Sequence, residues 1–115
     1  QLPFWDAPEN KQPYFMQVVG PLKQENWEKL KTISYAWHES QPESIEAHSN
    51  YALALFKLGN TAKSEEEFKK IAKKNPNFVQ SFLYLYEIAK LRENKQDVAK
   101  YKSIVFSLDE TIVIE

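Results

Sequence analysis

Hydrophobic residues recur at helical spacing from residue 27 almost to the end of the chain. Within each segment they follow the i, i+3/i+4, i+7 order of a helix with one buried face. We therefore predict an all-α protein built from helices of roughly 12–15 residues. The five stripes that carry this prediction are Trp27, Leu30, Ile33 and Trp37; Tyr51, Ala52, Leu55 and Leu58; Ser64, Phe68, Ile71 and Ala72; Phe82, Leu85, Tyr86 and Ala89; and Val98, Tyr101, Val105 and Leu108.

Turn-forming residues separate these stripes. Gly59 can adopt the left-handed conformation that ends a helix, and Asn60 can cap the helix that follows. Pro42 and Pro76 stop the helices before them, and the Gly-Pro pair at 20–21 is expected to kink or end a helix. These breaks predict antiparallel helical hairpins joined by tight turns. Two capping-box patterns accompany them, Ser40 with Glu43 and Asn77 with Gln80.

The two ends of the chain differ from its helical middle. Residues 1–13 contain three prolines and lack a helical period, so we predict an extended arm whose Phe4 and Trp5 pack on another surface. A helical domain covers 14–112, and a short tail follows at 113–115. The apolar, β-branched end of the chain is expected to cover the last hairpin or to pair with another chain. Because the sequence opens on Gln-Leu-Pro rather than on Met, we expect a segment of a longer or processed protein.

Composition and charge exclude several classes of function. A length of 115 residues is enough for one domain with one core. Two glycines are too few for a Gly-rich phosphate loop, and a formal net charge of −1 disfavours a domain that wraps a polyanion. The absence of cysteine excludes disulfides and thiolate chemistry but leaves both cytoplasm and periplasm open. No apolar run approaches the length of a membrane span.

One lysine-rich segment could suggest a nucleic-acid patch. Glu65 and Glu66 lie four residues before Lys69 and Lys70, and this order stabilises a helix through side-chain pairs and through its macrodipole. We therefore expect a solvated, self-compensated face, with Glu65–Glu67 around an exposed helix and not in a pocket. The lysines of the segment are Lys69, Lys70, Lys73 and Lys74.

The two histidines, His38 and His48, are the one candidate for catalysis or metal binding. They lie near one predicted turn with Glu39, Glu43 and Glu46 close by in sequence, so a metal site or a general base can be considered. A packing role for His48 and a helix-end role for His38 are favoured instead. The sequence contains no nucleophile elbow, phosphate loop or zinc-helix motif. We expect no enzyme activity and no catalytic, cofactor or metal residues.

Pro42 and Pro76 are 34 residues apart, and frames of 11–44, 45–78 and 79–112 align helix with helix. A 34-residue helix-turn-helix period resembles the tetratricopeptide repeat. The two outer frames match this family less well than the middle frame does. The middle frame carries the resemblance at nine characteristic positions, which hold His48, Tyr51, Ala52, Leu55, Gly59, Ser64, Phe68, Ile71 and Pro76.

The resemblance implies a short right-handed array of stacked hairpins, whose first helices line a concave groove for a peptide or a partner helix. Asn50 could bond a peptide backbone, while Leu53 and Phe56 could hold apolar side chains. Ser49 and Leu53 replace the charged and amide residues of the family's carboxylate clamp, so chaperone-tail binding is not expected. Each candidate has an alternative role in packing against the arm or a flanking repeat. The candidate groove residues are Glu46, Ser49, Asn50, Leu53, Phe56, Gln80, Leu83, Tyr84 and Glu87.

The leading functional hypothesis is a non-enzymatic protein–protein interaction module. Its partner would be a protein or peptide, with no nucleic acid and no membrane insertion by this segment, and self-association could occur through the arm or the tail. The alternative is a structural or dimerisation scaffold within a larger, membrane-anchored bacterial envelope protein such as a glycan polymerase or ligase. That alternative is an argument by analogy.

Overall fold

The structure is a computed structural model that describes residues 7–8 and 11–114. Within these residues the chain is all-α and contains no strand, which confirms the predicted fold class. Phe4 and Trp5, which belong to the predicted arm, lie outside the described residues. The helices are α1 (Tyr14–Gln17), α2 (Val19–Gln24), α3 (Trp27–Ser40), α4 (Ile45–Lys57), α5 (Thr61–Lys74), α6 (Val79–Leu91) and α7 (Lys95–Leu108).

The chain divides into two compact units at a predicted turn. The first unit is Gln1–Gly59 and the second is Asn60–Glu115. Gly59 has a φ of +84°, so it adopts the left-handed conformation that its position predicts. A helix also ends before each predicted proline stop, since α3 ends two residues before Pro42 and α5 two residues before Pro76.

In the first unit, α3 packs against α4, and the buried Trp37 of α3 also contacts Tyr14 of α1. The Trp37 indole donates its Nε1–H to the Gln41 side-chain oxygen at 3.0 Å, and the Tyr14 ring stacks on it with centroids 6.1 Å apart. Ala47 and Ala54 give α4 a flat face on which the α3 side chains pack. The buried cluster is Val18, Leu30, Trp37, Ala47 and Ala54, and Tyr14, Leu22, Trp27 and Ile33 pack on it partly buried.

The interruption near Gly20 and Pro21 falls earlier than the sequence predicts. The helical path breaks at Val18, and both Gly20 and Pro21 lie in the first turn of α2. A proline is tolerated there because the N–H that it lacks would have no intrahelical partner. The predicted interruption is therefore present, and it lies at Val18, one turn before Pro21, because a proline removes the hydrogen bond to the carbonyl four residues earlier.

Two helices begin after N-cap residues other than those predicted from the sequence. Ser40 is the last residue of α3, and α4 is capped by Ser44, whose Oγ accepts the Ala47 N–H at 3.1 Å. Likewise α6 starts after Phe78 and not after Asn77. Both predicted capping boxes were wrong, because the pattern of a short polar residue followed by Glu or Gln also occurs within turns.

In the second unit, α6 packs against both α5 and α7. An ion pair between Arg92 and Glu65 joins the end of α6 to α5. Glu93 has a φ of +55° and takes the left-handed turn position often held by glycine, and Asn94 then caps α7 by accepting the Asp97 N–H at 3.1 Å. The buried hydrophobic residues of this unit are Phe68, Ile71, Phe82, Leu85, Tyr86, Ile88, Ala89, Tyr101 and Val105.

Candidate functional site

Five of the candidate groove residues form one stripe along α4, in the first unit. They do not belong to the buried cluster of this unit, to which α4 contributes Ala47 and Ala54. The hydroxyl of Ser49 donates to the Glu46 carbonyl oxygen at 3.3 Å and is thus satisfied within its own helix. Glu46 is exposed, and the other four residues of the stripe are half-buried: Ser49, Asn50, Leu53 and Phe56.

The remaining four candidates form a stripe along α6, in the second unit. Gln80 and Glu87 are exposed, whereas Leu83 and Tyr84 are half-buried. The Tyr84 ring stacks on Phe68 of α5 with centroids 4.9 Å apart and planes 9° apart. Burial, with a smaller contribution from the Glu87 carboxylate, raises the pKa of the Tyr84 hydroxyl. Tyr84 therefore packs within its own unit as well as presenting part of its side chain to solvent.

Each stripe thus gathers its own candidates on one helix face, and none of the nine is fully buried. The α4 stripe combines one carboxylate, an amide and two large apolar side chains. Such a combination can hydrogen-bond an extended peptide and also receive its apolar side chains. The formation of a single groove by the two stripes stays a prediction.

His38 and His48 lie face to face in the first unit. Their ring centroids are 4.0 Å apart and their planes differ by 23°. The ring of Tyr51 also stacks on His38, with centroids 6.5 Å apart. His48 is only 5% exposed. The Nδ1 atom of His38 is buried and has no hydrogen-bond partner among the described residues. The stacked faces of the two rings fit the packing role favoured from the sequence; the absence of catalysis stays a prediction.

The acidic segment of α5 is more buried than expected. The predicted pairs Glu65–Lys69 and Glu66–Lys70 are present, with nitrogen–oxygen distances of 3.7 and 3.5 Å. Glu67, however, is 4% exposed, so the expectation that it lies on an exposed helix face was wrong.

Two lysines on the same helix neutralise this buried carboxylate. The Nζ atoms of Lys63 and Lys70 lie 3.4 and 3.3 Å from one Glu67 oxygen. Glu67 raises the pKa of both lysines. Its charge is the largest cause of the rise for Lys63, and its hydrogen bond is the largest cause for Lys70.

A surface that the sequence did not reveal lies on α7. The last described residues return beside this helix and border an open groove of about 600 Å³, which we call the α7–tail groove. Val113 is 87% exposed and Phe106 60% exposed, whereas Ile112 and Ile114 are half-buried. The predicted cover of the last hairpin by the tail is therefore only partial. The residues that line the groove are Ala99, Lys102, Ser103, Phe106, Glu110, Ile112, Val113 and Ile114.

A turn after α7 holds the tail in this position. The carboxylate of Asp109 accepts hydrogen bonds from the side-chain hydroxyl and the backbone N–H of Thr111, the latter at 3.0 Å. These two bonds lower the pKa of the Asp109 carboxyl. The Ile112 N–H donates to the Asp109 carbonyl oxygen at 3.2 Å, which directs the chain back along the helix.

Comparison of the chain with models of known protein families and with curated protein sequences gave no match. No helix in the described part of the chain is both long enough and apolar enough to span a bilayer.

Proposed function

We propose that this chain is a non-enzymatic interaction module built from tetratricopeptide-like hairpins, which binds a peptide segment of a partner protein. The observation that supports it is the stripe on α4, where Leu53 and Phe56 keep part of their surface in solvent beside Asn50. Neither side chain is among the buried residues of α4, which are Ala47, His48, Ala52, Ala54 and Leu55.

The chemistry of this stripe fits a peptide better than it fits a small reactive substrate. An amide can bond both the N–H and the C=O of an extended backbone, and neighbouring apolar side chains give sequence preference. On α6, Leu83 and the exposed part of Tyr84 offer the same kind of contact beside the polar Gln80 and Glu87. In the proposed array, the two stripes would bind the same peptide.

A peptide library displayed on phage and selected against the immobilised full chain tests this proposal. We expect selected peptides to bind Asn50→Ala/Phe56→Ala at least tenfold more weakly than wild type, since buried contacts of this size contribute at least about 1.4 kcal/mol. A matched control is Leu91→Ala/Gln96→Ala, which removes an exposed apolar side chain and an amide elsewhere. Equal binding by the two double variants, or a selection without binders, would contradict the proposal.

A further inference from the structure

The α7–tail groove is open in the single chain and has an apolar floor. Phe106 and Val113 keep more than half of their surface in solvent, although both stand beside the half-buried Ile112 and Ile114. Contiguous exposed apolar side chains of this kind mark contact surfaces. The residues that the structure describes leave this groove uncovered, so it can accept a further segment of protein.

The charged residues near the groove indicate which chemical groups a bound segment would carry. A second depression shares Ala99 and Lys102 with the groove and continues along α7 to Lys95. Within the described residues, Lys95 and Lys102 have no ion-pair partner, whereas Lys63, Lys69 and Lys70 of α5 pair with glutamates of their own helix. Lysines outnumber glutamates among the charged residues that line the two depressions, so an apolar segment that ends in a carboxylate would fit them. These residues are Lys90, Lys95, Lys102, Glu93 and Glu110.

The sequence of this protein contains such a segment at its start. Residues 1–6 read QLPFWD, with Leu2, Phe4 and Trp5 followed directly by Asp6. A proline has a fixed φ and disfavours the helical conformation at the residue before it, so Pro3 reduces the conformational freedom that this segment loses on binding. Phenylalanine and tryptophan also bury a large apolar area with few rotatable bonds.

We propose that residues 1–6 of one copy occupy the α7–tail groove of a second copy. The aromatic side chains contact Phe106 and the isoleucines of the tail, and the carboxylate of Asp6 pairs with Lys102. Reciprocal exchange of the two arms closes a symmetric dimer with two identical contacts. The proposal concerns a surface separate from the peptide-binding stripes, so either proposal can fail without the other.

Sedimentation velocity of the full chain over a concentration series up to about 1 mM tests it. We expect reversible dimerisation of the wild type, and at least a tenfold weaker dimer for Phe4→Ser/Trp5→Ser and for Phe106→Ser. Phe106 can be changed without opening a buried core, since it is 60% exposed. The matched control is Val19→Ser on α2, an exposed apolar residue away from the groove that should leave the dimer unchanged.

Mixing the two weakened variants separates arm exchange from every other mode of association. Phe4→Ser/Trp5→Ser keeps an intact groove and Phe106→Ser keeps an intact arm, so their mixture should form a heterodimer with one native contact. A dimer built from two α7 surfaces face to face would not recover on mixing. A charge exchange gives a second readout, because Lys102→Glu should weaken the dimer and Asp6→Lys in the same chain should restore it.

Three results would overturn the proposal. The first is a wild type that stays monomeric over the whole series. The second is an unchanged dimer in Phe4→Ser/Trp5→Ser, which would assign the contact to another surface. The third is a mixture of the two weakened variants that stays monomeric.

Discussion

The imidazole of His38 carries a nitrogen that is buried without a partner among the described residues. A buried polar atom left unsatisfied costs about 1–3 kcal/mol, whereas a ring of the same shape without that atom avoids the cost. We therefore expect His38→Phe, which retains the stacking on His48, to raise the free energy of unfolding by about 1 kcal/mol. Urea denaturation monitored by circular dichroism measures this change in the free energy of unfolding.

The neighbouring exposed residue provides the control, since Glu39→Gln should change stability by less than about 0.5 kcal/mol. A metal-binding role for this nitrogen would give a different result. If Zn²⁺ raised the melting temperature of the wild type and His38→Phe abolished that rise, the nitrogen would be a metal ligand, and the packing role argued from the stacked rings would be wrong.

Single residues also show what local sequence can and cannot predict. Gly59 was assigned correctly because a left-handed backbone favours glycine strongly, so one residue type carries the signal. The cap of α4 was assigned to Ser40 although Ser44 performs it. Serine also occurs inside turns and at helix ends, and only the tertiary position of α4 decides which one faces the free N–H groups.

At the scale of elements, α5 shows a signal that was present in the sequence and was missed. Glu67 lies three residues after Ser64 and four before Ile71, so it belongs to the apolar stripe of this helix. The interpretation followed residue type and assigned all three glutamates to solvent. Helical periodicity alone would have placed Glu67 on the buried side, where Lys63 and Lys70 neutralise it from the rim.

Two lysines of α5 provide a matched test of this arrangement. Lys70 and Lys69 have side chains that are equally exposed, but Lys70 faces the buried Glu67 while Lys69 faces the more accessible Glu65. We expect Lys70→Met to lower the free energy of unfolding by about 1 kcal/mol, because a buried carboxylate loses a cation, and Lys69→Met by a few tenths. Urea midpoints of the two variants measure the difference.

Salt provides the check on this interpretation. Added NaCl should reduce the small effect of Lys69→Met, since exposed charges are screened, and should leave most of the effect of Lys70→Met. Equal midpoints for both variants would show that Glu67 is solvated in solution and that its burial contributes nothing to the role of Lys70.

For the whole molecule, periodicity was sufficient for the all-α class and for five of the seven helix positions within the described residues. It was sufficient because each long helix has a buried stripe, and a stripe is a local property of the sequence. The candidate stripes on α4 and α6 follow from the same property. The α7–tail groove could not be predicted, because it depends on how the last residues return along α7, and the bonds between Asp109 and Thr111 direct that return.

The charge distribution of the whole molecule leads to a prediction about nucleic acid. Binding to a polyanion requires cations that are free to displace its counterions. Here the net charge is −1, and Lys63, Lys69 and Lys70 are engaged by glutamates of their own helix. We expect no change in the anisotropy of a labelled 20-base-pair duplex with protein up to about 100 µM at about 50 mM salt, where non-specific binders saturate.

The variant Glu66→Lys makes this test informative, because it replaces an exposed, compensating carboxylate of α5 by an ammonium group. It should bind the same duplex, with an affinity that falls steeply as salt is added, while the wild type does not bind. If the wild type bound with a comparable salt dependence, its lysines would have to be free in solution. The exclusion of nucleic acid would then be wrong, although the pairing within α5 could still hold, because Lys95 and Lys102 of α7 have no ion-pair partner among the described residues.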